Sequence, residues 1–218
     1  MVEINLMEKY PKTKRNVDER GTKKTDEDRR IAREFEEAFF DGDRSHGYGG
    51  FNYNPKFWTD VVQDFIKFYD LDENSSLLDV GCAKGFMMHD FKLALPKMLV
   101  KGIDISKYAI KNAIDDMKPF VMVGDAKDLS MFKNDEFDLI ISINTVHNLP
   151  LEECKQSIKE IQRVSKKAFL TVDAWTNDEE KQRMINWNLT AKTFMHVDDW
   201  KKLFEEVGYT GDYFWFIP

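Results

Sequence analysis

The chain has 218 residues, 42% of them hydrophobic, and a formal net charge of −7. This length and composition suit one α/β domain with an extension, and the chain is too short for two full domains. The negative charge offers no overall field for a polyanion, which argues against a nucleic-acid substrate.

The start of the chain has no signal-peptide core, and no apolar run approaches the length of a membrane span. The two cysteines, Cys82 and Cys154, lie far apart without metal-ligand spacing. We therefore expect a cytoplasmic protein with reduced thiols, no metal site and no membrane association.

The first part of the chain predicts an arm followed by a helix. Residues 1–24 are charged and show no apolar periodicity, so we interpret them as a flexible arm. Thr25 followed by Asp28 predicts a capping box, and apolar residues at helical spacing carry the helix on to Gly42.

Residues 41–54 form a glycine-rich, aromatic loop, and the Asn54-Pro55 pair after it predicts the start of a second helix. We expect residues 25–76 to form a helical cap whose loop closes as a lid over a ligand. Within the loop, Arg44 and His46 are suited to an acidic group. A surface loop that only anchors the following helix is the alternative.

From residue 77 onward, apolar runs of strand length alternate with helical patterns. Strands are expected near 77–80, 98–103, 120–123, 137–143, 167–173 and 212–217, and helices near 86–95, 107–116, 151–164, 178–190 and 198–207. This alternation predicts a doubly wound, mostly parallel α/β sheet of six or seven strands in a domain spanning 77–218. We expect the last strand to pair antiparallel beside the fifth, with its side chains alternating between the two faces.

The polar residues that end these strands should meet at one edge of the sheet, where such sheets bind ligands. The first strand ends within LLDVGCAKGF, where Asp79 precedes Gly81, and a glycine there lets the backbone approach a ligand closely. A purely structural turn is the alternative. The second strand ends in Asp104, which is placed to accept both hydroxyls of a ribose or, alternatively, to cap the helix after Ser106.

The third and fourth strands also end in polar groups. Asp125 could accept a hydrogen bond from an adenine amine while the Ala126 N–H meets a ring nitrogen, although a simple turn at Gly124 is the alternative. The fourth strand is an apolar run that ends in Asn144, with His147 three residues later. Suitable groups at four strand ends together favour a nucleotide-like cofactor.

With these residues the chain resembles the class I S-adenosylmethionine-dependent methyltransferases of small molecules, strongly over residues 77–174 and loosely over 197–208. The resemblance implies a Rossmann-like fold, S-adenosyl-L-methionine as cofactor and S-adenosyl-L-homocysteine as product. By position it implies these cofactor-binding residues: Asp79, Gly81, Cys82, Gly85, Asp104, Ile105, Asp125, Ala126 and Asn144. The chain departs from the family pattern at Ala83, where glycine is usual. The methyl group is tolerated there if the residue keeps a negative φ, and we expect a weaker affinity for the cofactor.

The implied reaction is methylation of an oxygen or nitrogen of a small-molecule acceptor, acidic or sugar-like, by a monomer or homodimer. His147 and Tyr48 are the catalytic candidates, because imidazole titrates near neutral pH beside the expected methyl position and Tyr48 lies in the lid. A histidine bonded to the backbone is the alternative for His147. Two other functions stay open: a non-catalytic module that binds the same cofactor, and a nicotinamide-dependent oxidoreductase, whose glycine fingerprint matches poorly at Ala83 and Phe86.

Overall fold

The structure is a computed structural model that describes residues 1–11, 24–165 and 167–218. Its strands are β1 (Ser76–Val80), β2 (Leu99–Asp104), β3 (Val121–Val123), β4 (Leu139–Ile143), β5 (Ala168–Trp175), β6 (Met195–His196) and β7 (Asp212–Phe216). Its α-helices are α1 (Asp26–Ala32), α2 (Glu37–Phe40), α3 (Thr59–Tyr69), α4 (Phe86–Ala94), α5 (Lys107–Lys111), α6 (Leu151–Val164), α7 (Asp178–Trp187) and α8 (Val197–Val207). From β1 onward an α-helix separates each strand from the next, as predicted, except between β3 and β4. Within the described ranges, no helix is both long and apolar enough to cross a membrane.

The sheet runs in the order β3-β2-β1-β4-β5, with β7 beside β5 and the short β6 paired with the last two residues of β5. Every pair of neighbouring strands is parallel, which confirms the doubly wound, Rossmann-like sheet. The prediction of an antiparallel last strand is wrong: Phe169 pairs with Asp212, and Asp173 pairs with Phe216. The helical crossover through α8 returns the chain to the end of the sheet where β5 begins, so β7 must run in the same direction.

Two apolar layers flank the sheet. On one face, side chains of α6 and α8 such as Ile158 and Phe204 are fully buried against the strands. On the other face, α3 and α4 contribute Phe65 and Phe91. The alternation predicted for the last strand is confirmed, because Trp215 packs in the first layer and Phe214 against the second.

The N-terminal residues pack against the outer edge of β7. The Ile4 N–H donates to the Tyr213 carbonyl at 2.9 Å, and the Tyr213 N–H donates to the Val2 carbonyl at 3.0 Å. Leu6 is 5% exposed. The predicted flexible arm, residues 1–24, is therefore wrong for its first eleven residues, and residues 12–23 lie outside the described part of the chain.

Leu6→Ala should lower the free energy of unfolding by about 2–4 kcal/mol, because it removes a buried apolar side chain that joins this segment to the core. The matched control is Leu93→Ala, since Leu93 is 62% exposed on α4. Urea unfolding followed by circular dichroism measures both. Equal effects of the two substitutions would contradict the packing of the segment.

Residues 24–76 differ in part from the predicted cap. The capping box is confirmed, because Thr25 and Asp28 exchange hydrogen bonds between side chain and backbone. The predicted continuous helix is broken at Phe35, whose φ of 52° interrupts the helical geometry between α1 and α2. Farther along, α3 buries Val61, Phe65 and Tyr69 in the layer it shares with α4, so this helix belongs to the core of the sheet.

Candidate functional site

The glycine loop that follows β1 packs tightly against the exits of β2 and β4. Gly81 has a φ of 91°, and a Cβ at this position would lie 2.0 Å from the Thr145 Oγ1. The Gly81 and Cys82 N–H groups donate to the Ile103 carbonyl at 2.8 and 3.0 Å. Gly85, with a φ of 78°, ends the loop at the start of α4. The two glycines are therefore required by the backbone of the loop itself.

Ala83 does not have the negative φ under which its methyl group is easily tolerated, since its φ is 49°. This left-handed conformation costs an alanine about 1–2 kcal/mol. Its N–H donates to the Asp104 Oδ2 at 2.8 Å, and a hydrogen bond to an ionised carboxylate can offset a cost of that size. The contact also ties the glycine loop to the end of β2.

Asp104 is 9% exposed and holds two backbone N–H groups. Its Oδ1 accepts from the Ser106 N–H at 2.8 Å, and its Oδ2 accepts from Ala83. Burial raises the pKa of Asp104, while these two hydrogen bonds act in the opposite direction. Each carboxylate oxygen has a second lone pair, so the group can also accept from ribose hydroxyls. The two roles considered for Asp104, organising the helix start and binding a ribose, are therefore compatible.

Asp79 is 5% exposed, and none of the described residues donates a hydrogen bond to its carboxylate. Burial, with a further contribution from the negative charge of Asp104, raises the pKa of Asp79 to about 8. A buried carboxylate without a donor is costly unless a cation joins it. The methionyl ammonium of S-adenosylmethionine is such a cation, so the residue fits this cofactor.

Cys82, Ile105, Asp125 and Ala126 complete the predicted set. The Cys82 thiol is buried, and burial raises its pKa well above the ordinary value, so the residue is a packing element. Ile105 is half exposed directly after Asp104, although it is apolar. Asp125 is half-buried and accepts from the Lys127 N–H at 3.2 Å, which is the turn considered as its alternative role, and Ala126 is buried.

Asn144 is held between β4 and β5. Its N–H donates to the Thr171 Oγ1 at 2.8 Å, and the Thr171 hydroxyl donates back to the Asn144 Oδ1 at 2.8 Å. Its φ of 53° turns the chain sharply at the end of β4. The exit of β4 is thus a rigid, polar turn beside the glycine loop.

His147 lies in the same turn but is 3% exposed. Its Nδ1 accepts from the Asp173 N–H at 3.0 Å, which places the ring proton on Nε2, 3.7 Å from the Asp173 Oδ1. Burial lowers the pKa of His147 despite the opposing charge of Asp173. This is the backbone-bonded histidine that was considered as the alternative. The predicted role of general base does not fit, because the nitrogen able to take a proton already accepts a hydrogen bond.

Asp173 is a buried carboxyl group that the sequence reasoning missed. Burial raises its pKa, and the charges of His147 and Lys24 act in the opposite direction. The signal was present, because Asp173 is a polar residue near the end of an apolar strand, as Asp104 is in β2.

The loop of residues 41–54 is fastened to the glycine loop through Lys84. This buried lysine donates to the Asp41 Oδ2 at 2.6 Å and to the Phe51 carbonyl at 2.9 Å. The Tyr108 hydroxyl donates to the same Asp41 oxygen at 2.7 Å. Lys84 lies inside the quoted glycine motif but is not among the site residues predicted from the sequence.

The side chains of residues 41–54 that were predicted to bind the acceptor or act in catalysis either have protein partners already or are exposed to solvent. The Arg44 guanidinium donates to carbonyls within the loop, and the His46 Nε2 lies 3.2 Å from the Asp28 Oδ1. Tyr48 is exposed, and its ring lies 4.3 Å from that of Phe51. These side chains therefore stabilise the loop, and the geometry does not support their predicted roles in acceptor binding or catalysis.

Tyr53 also anchors the loop. Its hydroxyl donates to the Asp90 Oδ1 at 2.7 Å, and burial together with this contact raises the pKa of Tyr53 to about 12. The phenol therefore stays protonated at neutral pH and links the loop to α4.

Comparison with known proteins identifies a family that the sequence matches. A family model described as a methyltransferase domain matches residues 71–208. A search among curated protein sequences found no significant match.

Several solved structures are similar to the chain. The YcgJ protein of Bacillus subtilis has a TM-score of 0.55 at 19% identity, with 67% of this chain and 66% of that chain covered. A candidate methyltransferase of Bacillus halodurans has a TM-score of 0.54 at 20% identity, covering 67% and 68%. A candidate methyltransferase from an antibiotic biosynthesis pathway of Anabaena variabilis has a TM-score of 0.52 at 19% identity, covering 67% and 60%.

At these identities the structural likeness shows the fold alone, and the chain spans less than two thirds of the first and third of these structures. The family match covers more than half of the chain, from just before β1 to the end of α8. It includes the glycine loop and the exits of β2, β3 and β4. The chain belongs to the methyltransferase-domain family.

Proposed function

We propose that the protein binds S-adenosyl-L-methionine at the carboxyl ends of β1–β4 and transfers its methyl group to an oxygen or nitrogen of a small molecule. The observation that carries this proposal is Asp79, a buried carboxylate that lacks a donor among the described residues and adjoins the glycine loop. An ammonium group supplies what this carboxylate lacks. A nicotinamide cofactor offers a negatively charged pyrophosphate at the equivalent place, which brings no cation to Asp79 and would be repelled by its ionised form.

Each residue of the proposed site binds a different part of the cofactor. Asp79 binds the ammonium, Asp104 accepts from the ribose hydroxyls, and the pair Asp125 and Ala126 meets the adenine edge. The Asn144 turn borders the same cleft. When bound, the cofactor supplies a methyl group that its sulfonium has already activated. The protein's task is then to align the acceptor and exclude water, which depends on orientation more than on acid–base chemistry.

Binding of S-adenosylhomocysteine should strengthen with pH, because the ammonium needs the ionised form of Asp79. In the free folded protein this carboxyl stays protonated up to about pH 8. The affinity should therefore rise by up to about tenfold per pH unit between pH 6 and the pKa of Asp79, with release of a proton. Calorimetric titration in buffers of different ionisation enthalpy measures both quantities.

The matched control is Asp79→Asn, which should bind the ligand more weakly and lose the pH dependence. The same raised pKa has a consequence for stability. The free energy of unfolding should fall as the pH rises from the ordinary pKa of 3.8 toward about 8, because the folded state retains a proton on Asp79 that the unfolded state releases. Wild-type affinity in Asp79→Asn, together with pH-independent binding in both proteins, would overturn the proposed site.

The attached loop should respond to both the ligand and Lys84. Lys84→Met removes the contacts to Asp41 and Phe51, so amide hydrogen exchange in residues 41–54 should accelerate. S-adenosylhomocysteine should slow this exchange in the wild type. Lys118→Met, which changes an exposed lysine paired with Asp115, is the control and should leave the loop unaffected. Identical exchange in all three proteins, with and without ligand, would rule out a lid.

A further inference from the structure

A cavity of about 440 Å³ lies between α1 and the loop of residues 188–194 that follows α7. Its volume is in the range of small-molecule sites. Arg29, Arg33 and Lys192 supply its charged lining, and Ile185 and Phe194 supply an apolar wall. The described residues that line it include no carboxylate, although the whole chain carries a net charge of −7.

The three cations are incompletely neutralised. The Lys192 ammonium has no hydrogen bond or ion pair with any described residue, and the side chain is exposed. The Arg33 Nε donates to the Thr190 carbonyl at 3.3 Å, which leaves the outer guanidinium nitrogens available. The ion pair of Arg29 is with Asp26, at 3.1 Å, and the side chain of Asp26 is fully exposed to solvent. Such a surface pair contributes little, so the cavity keeps a positive potential.

Residues 188–194, which form one wall, are held in place by hydrogen bonds within the loop and to Leu149. The Asn188 side chain donates to the Ala191 carbonyl and accepts from the Ala191 N–H, both at 2.8 Å. The Thr193 hydroxyl donates to the Leu149 carbonyl at 2.8 Å. A wall that is already ordered loses little entropy when a ligand binds.

The cavity borders the turn at the exit of β4. The N–H groups of Lys192 and Thr193 donate to the His147 carbonyl at 3.0 and 2.9 Å. His147 lies three residues after Asn144, in the turn that adjoins the glycine loop. The loop that lines the cavity is therefore bonded to the turn after β4, the same turn that carries Asn144 beside the glycine loop.

We propose that this cavity binds the acidic group of the methyl acceptor, which makes the acceptor a small organic acid with a carboxylate or phosphate and an apolar body. Arg33 and Arg29 hold the anionic oxygens through guanidinium hydrogen bonds, Lys192 adds a point charge, and the apolar body packs on Phe194. The ligand's role as acceptor depends on the proposed function, whereas the binding of the anion does not. This site replaces Arg44 and His46 as the acid-recognising residues.

The test uses the full chain with phenylacetate, phenyl phosphate and the neutral isostere phenylacetamide as probes. Phenylacetate or phenyl phosphate should cause saturable changes in the amide NMR signals of residues 188–194, and phenylacetamide should not. Lys192→Gln and Arg29→Gln should each weaken binding by about five- to tenfold, as expected for a lost charged hydrogen bond. Lys192→Arg should retain most of the affinity. Lys202→Gln, an exposed lysine on α8, is the control and should bind as the wild type does.

The two anions distinguish the acceptor classes, because the tighter binder identifies a carboxylate or a phosphate site. Equal responses to phenylacetate and phenylacetamide, or unchanged affinity in Lys192→Gln and Arg29→Gln, would overturn the cavity's assignment. Calorimetry with S-adenosylhomocysteine separates this failure from that of the proposed function. Wild-type cofactor binding without an anion response refutes only the acceptor site. An anion response without cofactor binding refutes the proposed function, and with it the ligand's role as acceptor, but leaves the anion site standing.

Discussion

Asp104→Ala should weaken the binding of S-adenosylhomocysteine by about a hundredfold, since it removes hydrogen bonds to a charged acceptor that are worth roughly 1.5–3 kcal/mol each. The loss has two sources in the structure. The ribose hydroxyls lose their acceptors, and the Ala83 N–H loses the carboxylate that holds the glycine loop in its left-handed conformation. Isothermal titration calorimetry at fixed pH measures the change.

Two further variants separate these contributions. Asp104→Asn keeps one oxygen acceptor, so its loss should be smaller, about tenfold. Ser106→Ala removes the side-chain cap of α5, which accepts from the Ala109 N–H at 2.9 Å, without touching the carboxylate. It should lower stability by about 1 kcal/mol and leave affinity unchanged. An Asp104→Ala protein that is folded and binds the ligand at wild-type affinity would disprove the assignment to ribose.

Gly81→Ala should be among the most destabilising single substitutions in the glycine loop. The added Cβ would lie 2.0 Å from the Thr145 Oγ1 and 2.7 Å from the Thr145 Cβ, so the backbone of the loop or of the β4 exit must move. We expect a loss of more than about 3 kcal/mol in the free energy of unfolding, from steric overlap added to the cost of a positive φ. Thermal and urea unfolding measure the loss.

Gly208→Ala is the matched control for conformational strain alone. Gly208 has a φ of 71° at the end of α8, and no atom lies within 4 Å of a Cβ built there. Its substitution should therefore cost only about 1 kcal/mol. Similar losses at both positions would show that the overlap with Thr145 is relieved at no cost.

The sequence predicted the sheet well because buried parallel strands are short apolar runs whose pattern is local. The predicted β1, β2 and β4 differ from the observed strands by two residues or fewer at each end. The direction of β7 was missed because inward and outward alternation is the same in parallel and antiparallel strands. Only the helical crossover through α8 determines it.

In the candidate site, too, features that depend on neighbouring residues in the sequence were predictable, and those that depend on contacts between distant residues were not. The placement of Asp79 and Asp104 at one edge of the sheet was predictable from their positions at strand ends, because the carboxyl ends of parallel strands meet there. The burial of His147 depends on β5, which the sequence places more than twenty residues later. The intrinsic preference of alanine is for a negative φ, but at Ala83 the N–H contact with Asp104 favours a positive one.

From the sequence, the segment 186–196 with Lys192 is a candidate wall of the acceptor pocket, but local patterns do not predict that Arg29 and Arg33 meet it in the proposed acid-binding cavity. Arg29 and Arg33 are four residues apart in a charged segment, a pattern typical of a solvated helix face. Lys192 lies about 160 positions later in the chain, and the three cations converge only because α1 docks on the loop through the Thr190 carbonyl.

The pairing of the first residues with β7 also constrains the order in which the parts of the protein fold. Val2 bonds to Asp212 across 210 positions of sequence, one of the longest separations in the fold. A ribosome releases the N-terminal residues first, so Leu6 and its neighbours have no partner strand until β7 has been synthesised. Closing so long a loop is entropically costly, which places the docking of this segment late in folding. A nascent chain would therefore hold this apolar segment exposed and accessible to chaperones until β7 has left the ribosome.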